Sequence, residues 1–371
     1  MSDTADDKIA IIGAGVSGLL LSQKLIKEGY EVNLFGPTDE RPQTICSWRS
    51  AETPLPQRDH VIQSWQSWQM VHNGEKNVQS SSRYRYEAID ALSMKKSLED
   101  TLSESSKFNR IRQNVNSLIP ETNSMQILTD KEEYKFSFLF DTRAPKRSKD
   151  CCLQQFMGLY LNVSPKKLNI NQPILMDFDV SQAAADGVTF VYALPLGEKN
   201  TLIEATQFGM TKVAPGLLTA IAREWIKKKS NTTLSKSLCS SKEEGLIPMG
   251  SVIPQSRHTI PFGVAAGATR PATGYALRGI ERQLDSITPC IKTKKAPAFK
   301  YSATARFMDS IFLRVLQNDP AIMKNVFWQM GKKIDGDIFA SFLCDEGGLR
   351  GAFAAAMAVP KKSFIRQAFR G

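Results

Sequence analysis

The chain has 371 residues, with 48 Lys and Arg against 37 Asp and Glu, for a formal net charge of +11. Apolar residues make up 42% and charged residues 23%, a globular composition that excludes a disordered, collagen-like or coiled-coil chain and leaves room for two interleaved domains around a large core. No apolar run reaches the roughly 18 uninterrupted residues of a spanning helix, because the best one, Ile9 to Leu21, is broken by Gly13, Gly15 and Gly18.

The opening MSDTADDK is acidic where a secretory signal is basic, so no export is expected. Lys8 to Ile12 (KIAII) then reads as a strand, GAGVSG at 13–18 as a glycine turn, and Leu19 to Lys27 as a helix ending at Gly29. In this strand, turn and helix each glycine has a task. Gly13 permits the tight turn, Gly15 lets backbone N–H groups approach a pyrophosphate, and Gly18 lets the helix pack against the strand, with phosphates on the helix N-terminus. A second strand, Glu31 to Phe35, follows. At its end, where an acid normally binds the adenosine ribose, stands Gly36; the nearest acids are Asp39 and Glu40. No second GxGxxG follows, which fits a resident FAD better than a nicotinamide dehydrogenase.

Ser64 to Met70 reads as a strand, Tyr86 to Leu102 as an amphipathic helix, and Lys131 to Arg143 as a strand ending in Asp141-Thr142-Arg143. Four β-type runs between Gln154 and Phe208 predict a sheet of their own, the last two joined by a Gly-Glu-Lys-Asn turn. Gly263 to Leu277 predicts a glycine-rich loop entering a helix, and the chain beyond Tyr301 carries helical spacing. The expected fold is thus α/β. It comprises a discontinuous Rossmann-type FAD-binding domain (1–150 and 240–290), an inserted antiparallel substrate domain (60–90 and 151–239) and a helical C-terminal region (300–371).

Six scattered cysteines without a CxxC pair and three isolated histidines signal neither a disulfide framework nor a metal site, in keeping with a cytoplasmic setting. The basic residues gather in short clusters, the last being Lys361, Lys362, Arg366 and Arg370. Solvated helix ends and contact with anionic lipid headgroups both explain them, and no nucleic-acid-binding pattern is present. Nothing points to an oligomeric state.

Taken in order, GAGVSG, Trp48 in CSWRS, Asp141-Thr142-Arg143, PILMDF, FVYALPL with LIEAT, EEGLIPMG, AAGATRPATGY and AVPKKSF resemble the FAD-containing lycopene cyclases of the p-hydroxybenzoate-hydroxylase-like flavoprotein superfamily, over nearly the whole chain. The resemblance implies redox-neutral cyclisation of the linear ends of a carotenoid to β-type rings. Reduced FAD would stabilise the cation or carry the proton, with NADPH only keeping it reduced. It also implies that Glu204, in the E-x-T strand motif, is the acid/base. The residues agree: on a strand Leu202, Glu204, Thr206 and Phe208 share one face, so the carboxyl sits in apolar company that favours its protonated form; an ion pair with a basic neighbour is the alternative. Asp177, expected on one face with Leu175 and Asp179, is either a second catalytic carboxyl or part of a solvent-facing strand edge. Arg143 is expected either at the flavin pyrophosphate or in a structural salt bridge. Gly267, Thr273 and Gly274 are expected to aim backbone amides at the flavin or to cap a helix. Trp48, Trp65 and Trp68 would line a polyene tunnel or fill a core.

A monooxygenase or reductase acting on another isoprenoid or aromatic lipid, and a non-catalytic lipid-binding protein, are the competing readings. A C40 substrate would have to come from the bilayer. Peripheral contact with an anionic membrane is therefore expected through Phe307, Phe312, Phe327, Trp328, Phe353, Met357, Phe364 and Phe369 among the C-terminal basic residues.

Overall fold

The computed structural model describes residues 8–52, 58–230, 238–297 and 300–369; the acidic opening segment and Arg370 lie outside them. The N-terminal unit is a five-stranded parallel sheet in the order Ile260–Pro261, Phe138–Asp141, Lys8–Ile12, Glu31–Phe35, Phe108–Ile111. Both faces of the sheet are covered, which is why its central strands, Lys8–Ile12 and Phe138–Asp141, are nearly continuous apolar runs. Ile9, Ile11, Val32, Leu34 and Phe140 pack against the helices Val16–Lys27, Ala91–Ser103 and Leu277–Asp285. Ala10, Ile12, Ile111 and Leu139 pack against a three-stranded antiparallel sheet, Val115–Pro120, Met125–Thr129 and Glu133–Phe136.

The second unit is a seven-stranded sheet ordered Cys239–Met249, Cys152–Leu161, Thr201–Gly209, Gly187–Pro195, Ile174–Asp177, Ser67–His72, Glu75–Ser80. It contains the four strands expected between 154 and 208, with Leu196 N–H bonded to Asn200 O across the predicted turn. Three further strands join them, one of which draws residues 239–249 into this sheet rather than into the parallel unit. One face carries Leu159, Ile203, Ala205 and Val191 against the helix Pro215–Ser230. The other carries Phe190, Leu202 and Phe208 toward five C-terminal helices: Ala303–Asn318, Met323–Lys333, Gly336–Leu343, Gly348–Ala358 and Lys361–Ala368. Every residue of Thr201–Gly209 is buried, so a polar group on its helix-facing side has little water around it.

Three local readings are corrected. Residues 64–70 are not one strand but parts of two, Val61–Trp65 and Ser67–His72, which belong to different sheets. The stretch 86–102 is a strand, Tyr84–Asp90, followed by a helix that begins at Ala91, where the Asp90 carboxylate caps Ser93 N–H at 2.9 Å. Residues 131–143 hold two strands, Glu133–Phe136 and Phe138–Asp141, which belong to different sheets.

Candidate active site

The glycine turn has the geometry its spacing implies. Gly13 has φ +110, and a Cβ there would lie 2.5 Å from Thr142 Oγ1; a Cβ on Gly18 would lie 1.9 Å from Gly13 O. Both positions are closed to side chains by close backbone packing. Gly15 differs: a Cβ there meets nothing within 4 Å. It is the N-cap of the helix Val16–Lys27, makes no side-chain capping bond, and with Val16 and Ser17 lines a cavity of about 850 Å³. An open Cβ position at an uncapped helix N-terminus is a cradle for a phosphate, so the residues present fit the pyrophosphate of a dinucleotide.

Thr273 and Gly274 line the same cavity, but their amides are spent locally. Both donate to Arg270 O, at 3.2 and 3.0 Å, and Gly267 N–H donates to Val264 O. Gly267 is exposed, with φ +77, closing a short 3-10 turn away from the cavity. The uncapped helix start that does border the cavity belongs to Leu277–Asp285, through Ala276, Leu277 and Ile280. Two buried polar atoms on the cavity wall, Gln154 Oε1 and Thr269 Oγ1, have no hydrogen-bond partner among the described residues, which leaves them for a bound group.

Neither acid offered for the ribose lines the cavity. Asp39 is clamped by Arg41 at 2.9 and 3.1 Å, which holds its carboxyl at about 2, and Lys95 stands 3.8 Å away; Glu40 is exposed. At Gly36 the chain passes so close to the turn that a Cβ would lie 3.0 Å from Ala14 N, and the Gly36 carbonyl accepts from the Arg110 guanidinium at 2.8 Å. Arg143 forms a bidentate pair with Asp141 at 2.9 and 2.7 Å, so of its two expected roles the structure displays the salt bridge.

Glu204 lines the cavity beside Thr206, Phe208, Phe190 and Tyr192, in the strand alternation expected for it. Thr206 Oγ1 donates to Glu204 Oε1 at 2.6 Å. Burial, reinforced by the nearby Glu243, pushes the Glu204 carboxyl up to about 8, so at neutral pH it holds a proton. Around it stand Tyr86 and Tyr192, bonded Oη to Oη at 2.7 Å. Tyr192 donates to Cys46 Sγ at 2.8 Å, and Tyr275 donates to Tyr86 at 3.3 Å. Burial pushes the Cys46 thiol up to about 12 and raises all three phenols, so these groups stay neutral and present polarised edges and aromatic faces to the cavity.

Asp177 points to the other side of the sheet. A register irregularity between Ile174 and Asp177 breaks the strict alternation. Leu175 and Met176 consequently both line the cavity, while Asp177 accepts from Trp225 Nε1 at 2.8 Å and pairs with Lys229 at 3.2 Å on the opposite helix. Asp179 caps the turn at Asn73 and Gly74. Trp48 and Trp68 are buried edge to face, with ring centroids 4.5 Å apart, and neither lines the cavity, nor does Trp65. These are core aromatics.

Sequence reasoning gave no role to Arg270, although a buried Arg demands a partner. It forms a bidentate pair with Asp309 at 3.2 and 3.0 Å, donates to Phe342 O and lies over the Phe342 ring. This pair ties the glycine-rich loop to two of the helices that roof the cavity. From that roof Phe312, Phe327, Met330, Phe339, Phe342 and Phe364 line the cavity, so apart from the Arg270–Asp309 pair it is mainly apolar.

A parallel sheet with a glycine turn, an inserted, mainly antiparallel sheet and a cavity spanning their junction defines the FAD-binding hydroxylase fold. Solved structures share it at low identity. A flavoprotein/dehydrogenase from Cytophaga hutchinsonii matches with a TM-score of 0.62 at 11% identity, over 98% of this chain and 100% of that one. A geranylgeranyl bacteriochlorophyll reductase-like protein from Thermoplasma acidophilum matches with 0.60 at 10%, over 97% and 98%. Klebsiella pneumoniae HpxO, solved with FAD and uric acid, matches with 0.61 at 11%, over 95% and 97%. The family model described as "Lycopene cyclase protein" matches residues 8–361. The chain belongs to the lycopene cyclase family.

Proposed function

We propose that the protein binds FAD across the glycine turn and cyclises the linear ends of lycopene, or a related carotenoid, to β-type rings without net redox change. The observation that carries this reading is a buried carboxyl, Glu204, whose surroundings favour its protonated form, on the wall of a mainly apolar cavity that opens onto the dinucleotide cradle. Ring closure needs a proton at a terminal alkene, a surviving cation and a base. Glu204 donates its proton to the alkene carbon and becomes the carboxylate, which the Thr206 hydroxyl at 2.6 Å stabilises. The neighbouring double bond closes on the cation, and the same carboxylate removes the final proton, so Glu204 is regenerated and atoms balance. The faces of Tyr86, Tyr192, Phe190 and Phe342 favour positive charge, and the helical roof keeps water out. Reduced FAD in the cradle would add electron density beside the cation, with NADPH serving only to keep it reduced. Supplying the protein with lycopene and analysing the products tests the reading: a cyclic isomer supports it, whereas an oxygenated or hydrogenated product would place the chain with the superfamily's monooxygenases or reductases.

The substrate would arrive from a bilayer. Among the described residues no helix is long and apolar enough to cross a membrane. The helices Gly348–Ala358 and Lys361–Ala368 nevertheless expose Leu349, Phe353, Met357 and Ile365, with Phe369 beyond them. Leu349, Phe353 and Met357 are spaced four apart and so form one stripe. Ala355, Val359 and Phe364 of the same segment line the cavity roof, so a surface that enters the lipid interface would stand over the carotenoid's path. Phe307 is also exposed, whereas Phe312 and Trp328 are buried and Phe327 faces the cavity; the membrane role narrows to the exposed set. Lys361 and Lys362 are exposed, and Arg366 is partly engaged by Asp319 at 3.6 Å. Each basic group near an anionic surface is worth about 1 kcal/mol. Changing Lys361, Lys362, Arg366 and Arg370 to Gln should therefore weaken co-sedimentation with anionic liposomes roughly tenfold or more, and added salt should weaken that of the unaltered protein. Equal partitioning of both proteins would rule the basic segment out as the docking element.

A further inference from the structure

We infer that Glu243 is a positioning residue for Glu204: a fixed negative charge seated beside it, across a glycine gap, that keeps the proton on the carboxyl facing the cavity. The inference rests on the reading of Glu204 as the acid.

The arrangement is built by strand register. Gly158, on the strand Cys152–Leu161, is paired with Glu204 on one side and with Glu243 on the other. Side chains of paired residues share a face, so the two glutamates stand on the same side of the sheet, two strand spacings apart, with Gly158 between them and Leu202 Cδ1 also reaching over that glycine. That glycine is required. A Cβ at Gly158 would lie 2.8 Å from Glu243 Cγ and 3.2 Å from its Oε1, which shows that Glu243 leans over the vacant position toward Glu204. Its other oxygen, Oε2, is anchored away from Glu204 by Thr44 N–H at 2.9 Å and Tyr160 Oη at 2.7 Å. Glu243 does not line the cavity, whereas Glu204 does.

The two carboxyls are therefore unequal. Burial raises both carboxyls, but Glu243 accepts two donors, Thr44 N–H and Tyr160 Oη, which oppose that rise, whereas among the described residues Glu204 accepts only the Thr206 hydroxyl. A second negative charge on the same buried face disfavours ionisation of Glu204 further, so the proton is held unevenly between the two carboxyls. It sits on Glu204, on the side where an alkene would be. The other titratable groups near the pair, Tyr192, Tyr86 and Cys46 from the flanking strands and Tyr275 from the glycine-rich loop, are held neutral by burial. The Arg270–Asp309 pair across the cavity is mutually neutralised.

Infrared difference titration reads this directly. The C=O band of the protonated Glu204 carboxyl, assigned by its disappearance in Glu204→Gln, is followed against pH in the full-length protein. In Glu243→Gln, which keeps an acceptor for Thr44 and Tyr160, the Glu204 midpoint should fall by about one pH unit or more. Tyr160→Phe removes one donor from Glu243 and should move the midpoint the same way by less. The alkaline limb of the activity profile should follow the band. A Glu204 midpoint unchanged in both folded variants would overturn the inference. Because the band is read without turnover, failure of the protein to cyclise lycopene would strike the proposed function and leave this result standing.

Discussion

Glu204→Gln is expected to abolish ring formation, a loss of at least roughly 10²–10⁴-fold for removal of a general acid, while fold and flavin content stay intact. The amide keeps the shape and still accepts from Thr206, but it cannot deliver a proton. The pH dependence follows from the same environment. Burial raises the carboxyl from its ordinary 4.5 to about 8, so the proton-donating form persists to near pH 8 and activity should fall as pH rises through that value. Stability carries the same sign. A carboxyl with a raised folded-state pKa stabilises the fold fully below its unfolded value, and that contribution is lost as pH rises from about 4.5 through about 8. At pH 9 the Gln variant should thus melt above the unaltered protein, and at pH 4 the difference should vanish. Conversion near the unaltered rate would remove Glu204 from the acid/base role.

Gly15→Val is expected to yield folded protein with less than about a tenth of the flavin. The valine side chain would project into open space at the uncapped helix start, where nothing in the protein resists it and where the pyrophosphate needs to lie. Stability should change little, since the site is a surface of the cavity rather than a packing contact. The contrast is Gly18→Val, where the added Cβ meets Gly13 O at 1.9 Å and the parallel unit itself should be destabilised. Flavin absorbance per chain and the melting temperature separate the two. Stoichiometric flavin in folded Gly15→Val protein would place the cofactor elsewhere.

The parts of the site visible in the sequence are those set by short-range pattern. The glycine turn spans six residues, and each glycine's packing follows from its spacing. The apolar surroundings of Glu204 were legible because strand alternation puts it with Leu202, Thr206 and Phe208, whereas its acid/base role came from the resemblance. The same rule failed for Asp177 because a register irregularity, which no residue spelling announces, turned it to the opposite helix. Arg143 was ambiguous because its partner, Asp141, is two residues away and only geometry shows the fork to be closed. What could not be read is what the tertiary fold assembles from distant segments. The cluster of Tyr86, Tyr192 and Tyr275 joins three segments about a hundred residues apart, and the Arg270–Asp309 pair links a loop to a helix. Glu243 meets Glu204 only through a strand lying between them. Gly158, which looks unremarkable within QQFMGLYL, becomes meaningful once the two flanking strands are known.

The most direct test is to incubate the flavin-loaded, reduced protein with lycopene in anionic vesicles in D2O and to analyse the product by mass and by chromatography. With the protein pre-equilibrated in D2O and in molar excess over lycopene ends, so that each Glu204 turns over once, proton delivery and removal without net redox change give a cyclic isomer that carries one deuterium for each ring formed, with no stoichiometric consumption of reductant. A product with added oxygen or added hydrogen, or a ring formed without solvent deuterium in that single turnover, would contradict proton-initiated cyclisation by Glu204.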